Sequence, residues 1–163
     1  MTSSPRARSS RAKNFVGFVV GEVVYALDIH RVREILQPLP VVPLPHAPPV
    51  LLGVADHRGE VVPVLDLRRR FGLPPAADGD RRRKWIVVRA GTRGVALVVD
   101  AVTDVFGGEP VGSGALPALG AGDRERGIVG VQRHAGRMVF VLDVDQLAAS
   151  ALAAAEPSAG VAP

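Results

Sequence analysis

The sequence predicts a mainly β protein of about ten short strands, arranged as two similar units. The first observation is a repeat: segment 53–72, GVADHRGEVVPVLDLRRRFG, returns from Gly130 as GVQRHAGRMVFVLDVD. A second segment, which starts at Ala26, returns in the same order from Ala96. The third observation is composition: 47% of the residues are hydrophobic but only 4% are aromatic, and a core of Val, Leu and Ile favours strands. The residues of the first repeat are Gly53, Gly59, Val62, Val64, Leu65 and Asp66, which return at one constant offset as Gly130, Gly136, Val139, Val141, Leu142 and Asp143.

Each unit is predicted to contain a hairpin, a short helix and a later hairpin. Apolar runs at 15–20 and 23–29 flank the two-residue turn Gly21-Glu22, which is typical of a β-hairpin. Residues 30–36 then predict a short amphipathic helix, and the proline-rich segment after it predicts irregular extended chain or an edge strand. Residues 61–67 predict a strand buried on both sides. Pro63 cannot donate to a ladder, which places that strand at an edge or a bulge.

The remaining elements follow the same order. Residues 66–71 predict one helical turn, and 101–106 predict the second short helix or helical turn. Residues 107–127 predict mostly loop, with room for one short strand. Asp145 is a candidate N-cap for an alanine-rich helix over 146–155. Further strands are predicted at 85–90, 95–100, 128–133 and 138–143.

Charge and composition limit the classes of function. The net charge of +4 is accounted for by Arg6, Arg8, Arg11 and Lys13, in a tail that has no acidic residue. We expect a disordered basic tail at 1–13, one domain of two pseudo-repeated subdomains at 14–148, and a helix end with a frayed tail at 149–163. Without cysteine there are no disulfides or thiolate sites. No apolar run reaches the length of about 18 residues typical of a membrane helix, so we expect a cytoplasmic protein that does not insert into the membrane.

Few residues are suited to catalysis. The best acid–base candidates are His30 near Asp28, and His57 beside Asp56 and Arg58. The four histidines lack the spacing of a metal site, and there is no glycine-rich phosphate loop between a strand and a helix and no Gly-x-Ser-x-Gly elbow. We therefore expect no enzyme activity, no metal and no cofactor. An apolar β body that presents an arginine at a turn favours a binding module.

Several short motifs in one order resemble the CheW family of chemotaxis coupling proteins. The resemblance covers about residues 15–147. The family usually has Asn and Leu immediately before the Arg-Gly turn, where this chain has Asp56 and His57. The matching motifs are Ala26-Leu27-Asp28-Ile29, Val32-x-Glu34-Ile35, Pro45-x-x-Pro48, Gly53-Val54, Arg58-Gly59, Pro63-Val64-Leu65-Asp66-Leu67-Arg68, Asp100-x-Val102-x-Asp104-Val105 and Val141-Leu142-Asp143.

The resemblance implies a fold of two intertwined SH3-like five-stranded β-barrels that share a hydrophobic core, with short helices and a C-terminal helix. It also implies a non-catalytic adaptor between methyl-accepting chemotaxis receptors and the histidine kinase CheA. Such a protein is expected to be a monomer alone, to assemble into arrays with receptor and kinase at the membrane-associated cluster, and to bind no nucleic acid.

The resemblance further implies two sets of contact residues. A Glu34–Arg58 pair is expected to orient the arginine, and Gly59 is expected to let the turn place Arg58 without strain. For Val32 and Val105, simple core packing is the alternative to a role in binding. The implied receptor-binding residues are Val32, Glu34, Arg58, Gly59 and Val105, and the implied kinase-binding residues are Val41 and Val42.

Three alternatives remain open on the sequence alone. The first is a nucleic-acid-binding module that uses the basic tail and the cations Arg81, Arg82, Arg83 and Lys84, although Asp78 and Asp80 dilute the positive charge beside these cations. The second is an enzyme that uses Asp56 and His57. The third is a detached regulatory domain of the kinase, which has the same fold as the coupling proteins.

Overall fold

The computed structural model describes residues 14–77, 79–110 and 127–155. The first half of the chain supplies five strands: β1 (Asn14–Val20), β2 (Val23–Asp28), β3 (Val32–Leu36), β4 (Leu51–His57) and β5 (Glu60–Asp66). The described part of the second half supplies β6 (Lys84–Ala90), β7 (Arg93–Val99), β8 (Ala101–Gly107), β9 (Glu109–Pro110), β10 (Ile128–His134) and β11 (Arg137–Leu142). The helices are α1 (Leu67–Arg70) and α2 (Val144–Ala155), and Ile29–Arg31 forms a 3-10 turn.

The two halves of the chain exchange strands between two sheets. One sheet has the order β8-β1-β2-β11-β10-β9, and the other has the order β3-β6-β7-β5-β4. Each sheet therefore has a central hairpin from one half and its outer strands from the other half. The pairs β2–β11 and β5–β7 are both parallel and occupy equivalent positions. This arrangement confirms the predicted duplication and the two intertwined barrels.

Three apolar clusters fill the fold. One belongs to the first sheet, another belongs to the second sheet, and the largest lies between the sheets and includes residues of α2. Burial of a large aliphatic or aromatic side chain contributes about 1.5–3 kcal/mol, so this shared cluster is the main connection between the barrels. Its fully buried members include Phe18, Leu27, Leu65, Ile86, Leu97 and Leu147.

Local turn chemistry agrees with the prediction at two places. Gly21 has a φ of 67° in the β1–β2 turn, a conformation that glycine adopts without steric cost. The carboxylate of Asp66 caps α1 by accepting a hydrogen bond of 3.0 Å from the Arg68 amide, and Gly72 follows the helix with a φ of 76°.

The two predicted short helices are wrong, because both segments are strands. After the 3-10 turn, Val32–Leu36 pairs with β6, and Ala101–Gly107 pairs with β1. Along β3 the half-buried and exposed residues alternate, so Ile35 faces solvent while Glu34 lies on the same side as Val32 and Leu36. The inward position of Glu34 depends on partners distant in sequence, which the local pattern does not contain.

The prediction that Pro63 lies in an edge strand or at a bulge is also wrong, because β5 is an inner strand and is itself regular at Pro63. β5 lies between β7 and β4, and the irregularity falls in β4, between Leu51 and Gly53. Pro63 is opposite Val54, whose amide and carbonyl both bond to Val42 instead of to β5. The parallel pairing with β7 starts only at Val64. The missing N–H of Pro63 is therefore not required by either neighbour.

The C-terminal helix begins earlier than predicted and has a different cap. Asp143 accepts a hydrogen bond of 3.1 Å from the Gln146 amide, so Asp143 caps α2. Asp145, the predicted cap, lies in the first turn and forms an ion pair with Arg31. The predicted basic tail at 1–13 and the end of the predicted tail at 156–163 lie outside the described residues, as do residues 111–126 of the predicted loop.

Candidate functional site

The turn between β4 and β5 consists of Arg58 and Gly59. Their φ values are 54° and 85°, as in a type I′ hairpin turn, in which both central residues are left-handed. The expectation that Gly59 places Arg58 without strain is therefore wrong, since Arg58 itself adopts a conformation that costs a non-glycine residue about 1 kcal/mol. The Asp56 carboxylate supports the turn by accepting a hydrogen bond of 2.8 Å from the Gly59 amide.

Arg58 is paired with Glu34, as the family resemblance implied. The Arg58 Nε and Nη2 atoms donate to the Glu34 Oε1 and Oε2 atoms at 2.9 and 3.0 Å, a bidentate geometry. The hydrogen bond from Arg58, followed by one from His57, lowers the pKa of Glu34 to about 2, and the pair raises the pKa of Arg58. The Arg58 side chain nevertheless stays 73% exposed. The result is an arginine that is held in one orientation and still open to a partner.

The contact of His57 with Glu34 is the part of the site that sequence reasoning missed. The His57 Nε2 atom lies 2.9 Å from the Glu34 Oε1 atom, and the His57 side chain is only 9% exposed. The predicted acid–base pairing with Asp56 is wrong, because Asp56 faces away and binds the turn. The signal for the burial of His57 was the alternation along β4, which places His57 on the inward side with Ala55.

A second ion pair fastens the same turn. Arg33 donates to the Glu60 Oε1 atom at 2.9 Å, and the Gly94 amide donates to Glu60 Oε2 at 3.1 Å. The amide of Gly94, then Arg33, lowers the pKa of Glu60. Hence β3, β5 and β7 all contribute to the position of the turn.

The predicted receptor-binding residues are divided between the two sheets. Val32, Glu34, Arg58 and Gly59 belong to the second sheet, where Val32 is half-buried against the shared cluster. Val105 belongs to β8 at the edge of the first sheet and is 57% exposed. The structure thus brings four of the five residues together on β3 and the adjacent turn.

The two predicted kinase-binding residues have different environments. Val41 packs against the apolar cluster of the second sheet, whereas Val42 is 62% exposed. Val42 forms a bridge to Val54, with N–O distances of 2.8 and 3.0 Å. Because directly paired residues share a face, Val42 and Val61 lie on the same outer side of this sheet, and Val61 is 67% exposed. Burial of Val61 on both sides, as predicted, is therefore wrong.

The alternatives from the sequence find little support in the described residues. Within them, no group of three His, Cys, Asp or Glu side chains could hold a metal ion, and no helix has the length and apolarity needed to cross a bilayer. His30 contacts Asp28 at 3.1 Å on the open surface. Three of the four cations at 81–84 are engaged with neighbours: Arg82 binds Asp80, Arg83 binds the Ala77 carbonyl, and Lys84 binds the Arg81 carbonyl.

Comparison with known proteins extends the likeness to most of the chain. Residues 14–152 match the family model described as CheW-like domain. The chain is 34% identical over 148 residues to the chemotaxis protein CheW of Rhizobium meliloti, covering 90% of this chain and 94% of that protein. It is 32% identical over 130 residues to the protein FrzA of Myxococcus xanthus, covering 80% of each.

A solved structure shows the same fold. The crystal structure of the scaffolding protein TtCheW from Thermoanaerobacter tengcongensis is similar with a TM-score of 0.68 and 25% identity, covering 83% of this chain and 92% of that one. The family model, the relatives and the solved structure agree with one another. The chain therefore belongs to the family of CheW-like domains.

Proposed function

We propose that this protein is a non-catalytic adaptor that couples chemotaxis receptors to a CheA-type histidine kinase. The family match over residues 14–152 supports an adaptor, and the names of the relatives support a role in chemotaxis. The observation that carries the proposal is Arg58, which is fixed by two hydrogen bonds and remains largely exposed. A fixed, exposed arginine beside apolar residues is a favourable anchor for another protein, since little side-chain entropy is lost on binding.

The receptor is proposed to bind along β3 and the Arg58-Gly59 turn, with Val105 as a contact from the other barrel. Val32 and Val105 would supply apolar area, while Arg58 would supply charge and orientation. Both hydrophobic residues keep enough exposure to touch a partner. A helical hairpin that lies between the two barrels could contact both sheets at once.

The kinase is proposed to bind the outer edge that includes Val41 and Val42. Val42 and Val61 are both exposed on the outer face of this sheet, on either side of β4, the last strand of the sheet. Edge strands with apolar side chains are favourable places for another β domain to pack. We propose that the protein acts in the cytoplasm at the receptor array, and that it is a monomer until receptor and kinase recruit it.

The test is kinase autophosphorylation in a reconstituted mixture. Receptor fragments that contain the cytoplasmic tip are mixed with the kinase of the same organism, with and without this protein. We expect a large rise in phosphorylation that requires all three components and is lost in Arg58→Glu, which reverses the charge at the anchor. Arg137→Glu makes the same charge change beside the equivalent turn of the other barrel and should retain activity. Equal activity of wild-type and Arg58→Glu proteins would contradict the assigned receptor surface.

A further inference from the structure

Among the described residues, His57 is the one polar or charged residue that is buried. Its Nε2 atom reaches the same Glu34 oxygen that accepts the hydrogen bond from Arg58 Nε, and both distances are 2.9 Å. We propose that His57 is a positioning residue: it fixes the Glu34 carboxylate from the protein interior, so that Glu34 in turn holds Arg58 in its partner-facing orientation. This inference rests on the proposed function of Arg58 as the receptor anchor.

The chemistry of the contact assigns a direction to the hydrogen bond. Glu34 is ionised at neutral pH and can only accept, since its pKa is lowered to about 2. The Nε2 atom of His57 must therefore carry a proton and donate it. If the exposed Arg58 side chain were its only partner, the Glu34 carboxylate could move together with that side chain between several rotamers. A donor from the buried side removes the freedom and leaves one arrangement of the pair.

The charged groups around His57 are consistent with this role. Asp56 and Glu60 lie beside it in the hairpin, but Asp56 binds the Gly59 amide and Glu60 binds Arg33 and the Gly94 amide. Glu34 is thus the carboxylate hydrogen-bonded to the imidazole.

The second half of the chain contains the same contact without the arginine. His134 occupies the place equivalent to His57 in the β10–β11 hairpin, and its Nε2 atom lies 2.9 Å from the Oδ2 atom of Asp104, the counterpart of Glu34. That hydrogen bond lowers the pKa of Asp104. The turn residue that follows is Ala135, with a φ of 52° close to that of Arg58. This second pair has no anchor to orient and serves as a matched control within one molecule.

The first experiment measures the exchange of the Arg58 Nε–H proton with water by nuclear magnetic resonance. His57→Leu keeps an apolar side chain of similar size in the pocket but removes the donor, and we expect exchange to become about fivefold faster, which corresponds to the loss of one net hydrogen bond. His57→Gln can place an amide N–H near the same oxygen and should restore slow exchange. His134→Leu removes the equivalent pair and should leave the Arg58 signal unchanged.

Each variant is first checked for a cooperative thermal transition. Unchanged exchange in a folded His57→Leu protein would overturn the proposal and leave His57 as a core residue only. If His57→Leu does not fold, His57→Phe takes its place, since it also fills the pocket without a donor to Glu34, and unchanged exchange in the folded phenylalanine variant would likewise overturn the proposal.

The second experiment links the positioning to binding. The affinity of a receptor fragment that contains the cytoplasmic tip is measured for wild type, His57→Leu, Glu34→Ala and the double variant. If His57 acts through Glu34, His57→Leu weakens binding about fivefold in the wild type and has no further effect in Glu34→Ala. Additive losses would overturn this route of action. If the wild type does not bind the fragment at all, the proposed function fails, whereas the exchange measurement still tests the position of Arg58.

Discussion

The carbonyl oxygen of Val42 lies directly against Gly53, where a Cβ atom would collide with it. Gly53 also has a φ of 150°, which side chains rarely adopt. This close approach lets the segment around Val42 form its two hydrogen bonds with Val54. Gly53 is therefore required by the neighbouring backbone as well as by its own conformation.

Gly53→Ala should destabilise the protein by at least about 2 kcal/mol. The new Cβ atom would meet the Val42 backbone, which cannot shift as easily as a flexible side chain. Gly130 is the equivalent glycine of the second half, and a Cβ there would meet only the Val141 Cβ atom at an ordinary 3.8 Å. Denaturant unfolding of both alanine variants tests the difference. A Gly130→Ala protein that loses as much stability as Gly53→Ala would contradict the explanation.

Glu34 should make the stability of the protein sensitive to acid. Its pKa is about 2 in the folded protein against an ordinary value of 4.5, so the ionised form is favoured by folding. The contribution is present above the ordinary value and is lost as the pH falls towards 2. Between about pH 5 and pH 2, the free energy of unfolding should fall more steeply in the wild type than in Glu34→Gln.

Urea unfolding at a series of pH values measures these slopes. Glu22→Gln, which changes an exposed glutamate in the β1–β2 turn, is the control and should follow the wild type. Parallel curves for the wild type and Glu34→Gln would show that the pair contributes nothing to folding.

Asp100 should be important for the connection of the two barrels. Its Oδ2 atom accepts hydrogen bonds from the Gly21 amide at 2.7 Å and from Arg68 Nη1 at 2.9 Å, and both side chains of the ion pair are mostly buried. Asp100→Ala leaves the two donors without this acceptor and should cost about 3 kcal/mol. The midpoint of denaturant unfolding gives the loss.

A matched change is Asp80→Ala, which removes the partner of the exposed Arg82. It should change the midpoint little, because exposed ion pairs contribute little to stability. The double variant Arg68→Met/Asp100→Ala should lose less stability than the sum of the two single variants. Each single change leaves one charged side chain of the pair without its partner, whereas the double change removes both charges.

Arg31 should stabilise the start of the C-terminal helix. Its guanidinium donates to the Arg89 carbonyl at 2.7 and 3.1 Å and pairs with Asp145 in the first turn of α2. The hydrogen bond from Arg31 is the main reason that the pKa of Asp145 is lowered. Arg31→Ala should accelerate hydrogen exchange in the described turns of α2 about fivefold. Arg89→Ala keeps the backbone carbonyl that Arg31 binds and should leave exchange in α2 unchanged. Equal acceleration in the two variants would contradict a role for the Arg31 contacts.

The sequence predicted the equivalence of the two halves because the repeat keeps glycine, aliphatic and aspartate positions in one order. It could not assign β3 and β8, since a run of five to seven residues can match both a helical and an alternating pattern. Pairings such as β2 with β11 join residues more than a hundred positions apart, for example Tyr25 with Phe140. No local pattern encodes such a contact, and only the family resemblance predicted the intertwined barrels.

Only part of the site was predicted, because its contacts also join residues that are distant in sequence. The resemblance led to Glu34 and Arg58, and the structure confirms that they form a pair. The contact of His57 with Glu34 spans two strands that are not neighbours in sequence, so nothing near His57 indicated its partner. The alternation of β4 was sufficient to predict that His57 points inward, but the positive φ of Arg58 was visible only in the structure.

The exchange of strands between the halves has a consequence for how the chain folds. During synthesis the β1–β2 hairpin is made before its neighbours β8 and β11, which come from the second half of the chain. The other barrel likewise needs β3, β4 and β5 from the first half to meet β6 and β7. The second sheet needs the chain as far as β7, and the first sheet needs it as far as β11. Formation of such non-local pairs is slow. The β1–β2 hairpin therefore keeps unpaired strand edges until β8 and β11 have been made, and chaperones have that time to bind it.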